Sequence, residues 1–307
     1  MEMKLTADNK KLLWIFILAF LSFLFCSNAF AGGLKVLHEK SFNVNPGETL
    51  ELESESGDIV ISTWSKNEVF VKVYGNRKAE ERVDFSFERT SDGVRIIAEK
   101  EGSFFNWFSS VEMRFEIRLP AEFNADVKTS GGDIAVKDLK GKMIYKTSGG
   151  DVDLQNTNGA LTVKTSGGDI ELSKHEGNSK LSSSGGDIKC IDTKGDLDAG
   201  TSGGGIILKT VDGRIDARTS GGDITLDYTG VNNGIELTTS GGDIEVYIPA
   251  EFKADADLKC SGGHIDCDFT LSRTYRVKSY HLEADFNGGG EKLYCKTSGG
   301  DIYVKEK

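Results

Sequence analysis

Apolar and polar residues alternate along most of the chain, and the alternation itself repeats. From Asp133 to Gly150, the stretch DIAVKDLKGKMIYKTSGG sets Ile134 and Val136 between polar neighbours, then does the same with Met143, Tyr145 and Thr147. A period of two marks half-buried strands. Lys140-Gly141 and Gly149-Gly150 separate the two strands of the unit, because glycine permits sharp turns. Ser-Gly-Gly recurs at Ser130, Ser148, Ser166, Ser184, Ser202, Ser220, Ser240, Ser261 and Ser298. The first five intervals are 18 residues each, and the next three are 20, 21 and 37.

Stacking the units exposes columns. One is Ile134, Val152, Ile170, Ile188, Ile206, Ile224, Ile244, Ile265 and Ile302. A second, two residues later, is Val136, Leu154, Leu172, Cys190, Leu208, Leu226, Val246, Cys267 and Val304. The other strand contributes Met143, Leu161, Leu197 and Ile215, then Tyr145, Val163, Leu181, Ala199 and Ala217, and an inward Thr column leads each turn. A hairpin meander has no need of the same residue at the same place in every unit. A coil does, because each residue lies on its counterpart one turn away, about 4.8 Å distant. The prediction is all-β: a single-stranded β-helix, or β-solenoid, of roughly 45 Å with ~18-residue coils and almost no helix.

Residues 124–307 form the repeat region, and residues 32–123 read as irregular β coils that cap it. Strands in that part show at Leu50/Leu52, Ile59/Ile61, Val69/Val71/Val73, Phe85/Phe87 and Phe115/Ile117/Leu119, and Glu55-Ser56-Gly57-Asp58-Ile59 is a degenerate turn. Leu119-Pro120-Ala121-Glu122-Phe123 returns as Ile248-Pro249-Ala250-Glu251-Phe252, and the long stretch 264–300 is expected to carry a protruding loop.

The Thr-Ser-Gly-Gly-Asp-Ile repeats, the Leu-Pro-x-x-Phe lead-in and the closing Asn287-Gly288-Gly289-Gly290 with Thr297-Ser298-Gly299-Gly300-Asp301-Ile302 resemble the bacterial β-strand-repeat adhesins. That family has no known function and is similar to the head GIN domains. The resemblance covers roughly residues 40–307. It implies an exported β-helix associated with the cell envelope and supplies no catalytic residues. "Adhesin" there names an architecture rather than an activity.

The first residues point the same way. Lys4, Lys10 and Lys11 precede an apolar run from Leu12 to Phe25, followed by Ala29-Phe30-Ala31. This is the pattern of a signal peptide, residues 1–31, cleaved after Ala31. The run is short for a membrane span of about 20 residues, although an uncleaved anchor is the alternative. The expected location is the periplasm, the cell surface or the medium. Without the leader the chain keeps 34 basic and 46 acidic residues, a net of −12. Such an acidic chain is a poor nucleic-acid binder.

The turns suggest three kinds of chemistry. Asp133, Asp151, Asp169, Asp187, Asp223, Asp243 and Asp301 stand in one column, interrupted by Gly205 and His264. Stacked carboxylates can share Ca²⁺. The plainer reading, adopted here, is turn chemistry in which each Asp accepts backbone N–H bonds. Cys190, Cys260, Cys267 and Cys295 all fall on inward columns. Their even number permits a disulfide, with Cys260 and Cys295 the best-placed pair, and equally permits buried free thiols. Phe104, Phe105, Trp107 and Phe108 are either core filling or an exposed partner-binding tip.

No nucleophile elbow, phosphate loop or zinc spacing is evident, and no cofactor or metal is expected. The reading is therefore an exported, non-enzymatic module that presents a regular surface to an envelope glycan, cell-wall polymer or protein. A polysaccharide-active β-helix enzyme and a purely structural envelope element are the alternatives. The chain stops at Lys307 directly after a strand, which predicts an open edge and end-to-end homo-association.

Overall fold

The computed structural model describes residues 33–100 and 111–307. The predicted signal peptide and the Phe104, Phe105, Trp107 and Phe108 cluster lie outside the described residues. A β-solenoid is what forms: two long sheets, of 13 and 14 strands, face each other across one continuous apolar core. Each regular coil gives one strand to each sheet. The first sheet stacks β9 (Ile134–Lys137), β11 (Val152–Asn158), β13 (Ile170–Glu176), β15 (Ile188–Lys194), β17 (Ile206–Asp212), β19 (Ile224–Tyr228) and β21 (Ile244–Ile248) in parallel. The second stacks β8 (Asn124–Thr129), β10 (Met143–Lys146), β12 (Leu161–Lys164), β14 (Ser179–Ser182), β16 (Leu197–Gly200), β18 (Ile215–Arg218) and β20 (Ile235–Thr238).

The register is that of the 18-residue period, with Val152 on Ile170 and Leu161 on Ser179. The two columns headed by Ile134 and Val136 are buried except at Ile265 and Cys267, which are half-buried at the end of the first sheet. The inward threonines tie coils together. Thr165 Oγ1 donates to the Gly150 carbonyl at 3.1 Å and accepts from the Gly168 N–H at 3.2 Å. Thr147, Thr219, Thr239 and Thr297 make the same pair of bonds.

A third corner divides the first-sheet strand. Asp138, Asn156, Lys174, Asp192 and Thr210 have φ between 53° and 62°, the left-handed region. The bend turns the following residue inward and creates another buried column of Leu139, Thr157, His175, Thr193 and Val211.

The coils do not all stack in chain order. β22 (Ala254–Cys260) and β23 (Ile265–Cys267) are laid down first. The last coil, β26 (Lys292–Thr297) and β27 (Ile302–Glu306), then inserts between them and the β20–β21 coil. This corrects the expected open edge at the C-terminus, because β27 is paired on both sides. The predicted protruding loop is a hairpin, β24 (Leu271–Lys278) with β25 (His281–Phe286), which continues the second sheet past β22.

Antiparallel strands close the opposite end. In the first sheet β1 (Lys35–Asn43) pairs with β4 (Glu68–Gly75), β4 with β7 (Met113–Pro120), and β7 joins the body through β3 (Asp58–Trp64). In the second, β5 (Val83–Arg89) pairs with β6 (Gly93–Lys100), which meets β8 through β2 (Thr49–Ser54). A short helix α1 (Arg77–Arg82) leads into β5, its N-terminus capped by the Asn76 side chain. His38 lies 4.7 Å from the Phe85 ring and 5.3 Å from Phe87.

Candidate functional site

The Asp column serves the backbone. The Oδ1 atoms of Asp133, Asp151 and Asp169 accept the N–H of the Asp one coil further on, at 2.7–2.8 Å. Asp187 accepts from Gly205, Asp223 from Asp243, Asp243 from Asp301 and Asp301 from His264. The turn reading stands in altered form: each carboxylate bonds the next coil's turn rather than its own. Asp58 of the degenerate turn is the first rung and accepts from Asp133 at 3.2 Å. Burial raises the Asp133 carboxyl above the usual range, whereas the His264 N–H holds Asp301 below it. Among the described residues, no group of three or more His, Cys, Asp or Glu is placed to hold a metal ion.

Cys190, Cys260, Cys267 and Cys295 are free thiols. Of the two readings the sequence left open, the structure has the free thiols, and register shows why Cys260 and Cys295 are not joined. Cys260 stands opposite Thr297, and Cys295 opposite Leu258, so the two are diagonal rather than facing. Burial pushes the Cys190 thiol up to about 12 and raises Cys295 further, while Cys267 is only half-buried. A thiol-exchange reagent at pH 8 is therefore expected to modify Cys267 first in the native protein. Cys190 and Cys295 should react only after denaturation, as peptide mapping of the labelled sites would show. Equal labelling of Cys190 in the native state would contradict the burial.

Two grooves run across successive coils. The one beside the third corner encloses about 430 Å³ and is lined by Asp138, Asn156, Lys174, Glu176, Asp192 and Lys194 among others. The other, about 360 Å³, lies on the outer side of the second sheet. Thr162, Asn178, Lys180, Asp198, Arg214 and Asp216 supply its polar lining, and the buried Leu161 and Leu197 border it. Strand register sets its geometry. Thr162, Lys180, Asp198 and Asp216 occupy the same strand position in four consecutive coils. Lys180 Nζ donates to Asp198 Oδ2 at 2.9 Å, and Arg218 contacts Asp216 at 2.7 Å. Burial raises the Asp216 carboxyl. Ser179, a small buried residue in a column otherwise filled by Met143, Leu161 and Leu197, also borders the groove. Sequence reading missed the groove, because its polar row mixes Thr, Lys and Asp and leaves no repeated residue type.

The profile of the Toastrack DUF4097 family matches residues 47–305. No curated protein matches the chain. Several solved structures are similar to it. A candidate adhesin from Bacteroides fragilis is 14% identical, with 90% of this chain and 98% of that one covered at a TM-score of 0.40. A candidate lipid-binding protein from Parabacteroides distasonis is 12% identical, over 90% and 98%, with a TM-score of 0.45. A candidate cell adhesion protein from Clostridium sporogenes is 14% identical, over 89% and 100%, with a TM-score of 0.22.

Proposed function

The chain belongs to the Toastrack DUF4097 family, and on that premise we propose that it is an exported, non-catalytic module that binds a linear envelope glycan or cell-wall polymer along its second-sheet groove. The observation that carries this reading is the repetition of polar side chains, one per coil, at Thr162, Lys180, Asp198 and Asp216. A polymer laid along the stack meets a donor or acceptor at every coil, about 4.8 Å apart. Each contact is weak alone, and a repeating ligand adds them. The sheet fixes the backbone of these residues, so no chain ordering opposes binding, although the exposed side chains still lose rotamer freedom. The hydroxyl, amide and carboxylate groups that line the groove suit sugar hydroxyls.

The test is a glycan array, followed by binding measurements on cell-wall polysaccharide. The unsubstituted protein should bind without releasing reducing ends. The double variant Lys180→Ala/Arg214→Ala should bind at least about tenfold more weakly, roughly the loss of one charge-assisted contact. Release of reducing ends would overturn the non-catalytic reading. Binding unchanged in the variant would remove the groove from it.

A further inference from the structure

Each sheet of the stack has two edges, and in the second sheet these are β5 and β24. β24 is exposed at seven of its eight positions. Tyr275, Val277 and the adjoining Tyr280 are three of the six large apolar side chains exposed among the described residues. Its charged residues are Arg273, Arg276 and Lys278, all basic, in a chain whose net charge is −11.

Residues opposite one another in a strand pair share a face. Thr274 and Val277 stand opposite Ala284 and Leu282, which are buried, so Val277 belongs to the core face and yet is 65% exposed. The bulges in β24 bring all three cations to the other face, opposite Asp285, Glu283 and His281. There Arg273 donates to the Tyr275 hydroxyl at 3.2 Å and lies 3.8 Å from Asp285, and Lys278 donates to the Tyr280 hydroxyl at 3.1 Å.

The opposite edge is complementary. On β5, whose one cation Arg89 is paired with Glu48, Asp84 and Glu88 occupy the outer face opposite Glu99 and Arg95. Phe85 and Phe87 occupy the core face, opposite Ala98 and Ile96. Strand direction agrees as well. β5 is antiparallel to β6 and so runs against the body of the sheet. β24 is two antiparallel steps beyond β22 and so runs with it. Two copies stacked in the same orientation therefore bring β24 of one against β5 of the next as an antiparallel pair.

We propose that the protein assembles head to tail through this pair, with a second copy of the chain as the partner of the β24 edge. Lys278 then faces Asp84, Arg273 approaches Glu88, and Val277 is covered by Phe85. The bare backbone groups of both edges find partners at the same time. Pairing β24 with another β24 would gather six cations, and pairing β5 with β5 would gather four carboxylates. Charge thus selects the heterologous contact, which builds an open filament because nothing closes it.

Sedimentation velocity of the purified protein over a range of concentrations tests this. At low ionic strength the mass is expected to rise past that of a dimer, and to fall back in about 0.5 M salt as the charges are screened. The variants Arg273→Glu/Arg276→Glu/Lys278→Glu and Asp84→Lys/Glu88→Lys should each stay monomeric with an unchanged circular dichroism spectrum. Mixing the two variants should restore assembly. A monomer at every concentration would overturn the proposal, as would growth that stops at a dimer or assembly that survives both reversals.

Discussion

Replacing Gly168 with Ala is expected to destabilise the protein by about 3 kcal/mol or more, while the same change at the adjacent Gly167 stays within about 0.5 kcal/mol. A Cβ at Gly168 would lie 2.0 Å from the Gly150 carbonyl oxygen of the preceding coil, far inside van der Waals contact. At Gly167 the nearest atom is 3.6 Å away. The obstacle at Gly168 is backbone, which cannot yield without breaking the Thr165 bonds and the strand register around it. The same asymmetry recurs at Gly185 and Gly186, where the closest approaches are 3.5 Å and 2.1 Å. Denaturation midpoints of the paired variants check the prediction, and equal losses at both positions would refute it. Both glycines repeat in every turn, so repetition alone assigns them equal weight. Only the distance to the neighbouring coil separates them.

The second large effect concerns acid. Stability is expected to fall as pH drops below about 6.5, with His175 contributing up to about 1.4 kcal/mol for each further pH unit. His175 is buried, with its Nδ1 2.8 Å from Thr157 Oγ1 and its Nε2 unpartnered. Burial lowers its pKa from the ordinary value, outweighing the backbone carbonyls and Glu176 that favour the charged form. The folded state therefore resists a proton that the unfolded chain accepts from about pH 6.5 downward. The stability contribution is complete above that pH and is lost as pH falls toward the folded value. His175→Thr copies Thr157 and Thr193, the residues above and below it in the column. That variant should lose some packing at pH 8 but show a shallower decline between pH 6.5 and 5 than the unsubstituted protein. Comparing the two slopes cancels the titration of the carboxylates common to both. Parallel slopes would show that His175 does not titrate differently on folding.

The legible parts of this chain are those where stacking demands identity. Ile and Leu columns, inward threonines and Asp rungs repeat because each residue meets its counterpart one coil away in the same environment. The third corner left no such mark. Asp138, Asn156 and Asp192 are residue types that tolerate the left-handed region, but Lys174 and Thr210 in the same corner are not, so the column shows no single repeated residue. The column behind that corner was equally hidden, because Leu, Thr, His, Thr and Val show no common polarity. The second-sheet groove was hidden for a related reason: Thr162, Lys180, Asp198 and Asp216 share a strand position and no residue type, so nothing marks them as a row until the coils are stacked.

By itself, the sequence determined the coil length, the inward faces and the all-β class, because these follow from contacts between residues at one fixed spacing. The tertiary structure decided the order of the final coils and the nature of the ends. Asp301 bonds Asp243 across 58 residues, and β27 fills a slot between strands that precede it in the chain. A strand's place in a stack depends on which neighbouring edges pair with it, and every coil of this repeat offers nearly the same edge. Local pattern therefore cannot choose among them. The fit of the irregular hairpin β24–β25 onto β22, with Phe269 stacked 4.9 Å from Phe286 inside the end of the core, makes that choice.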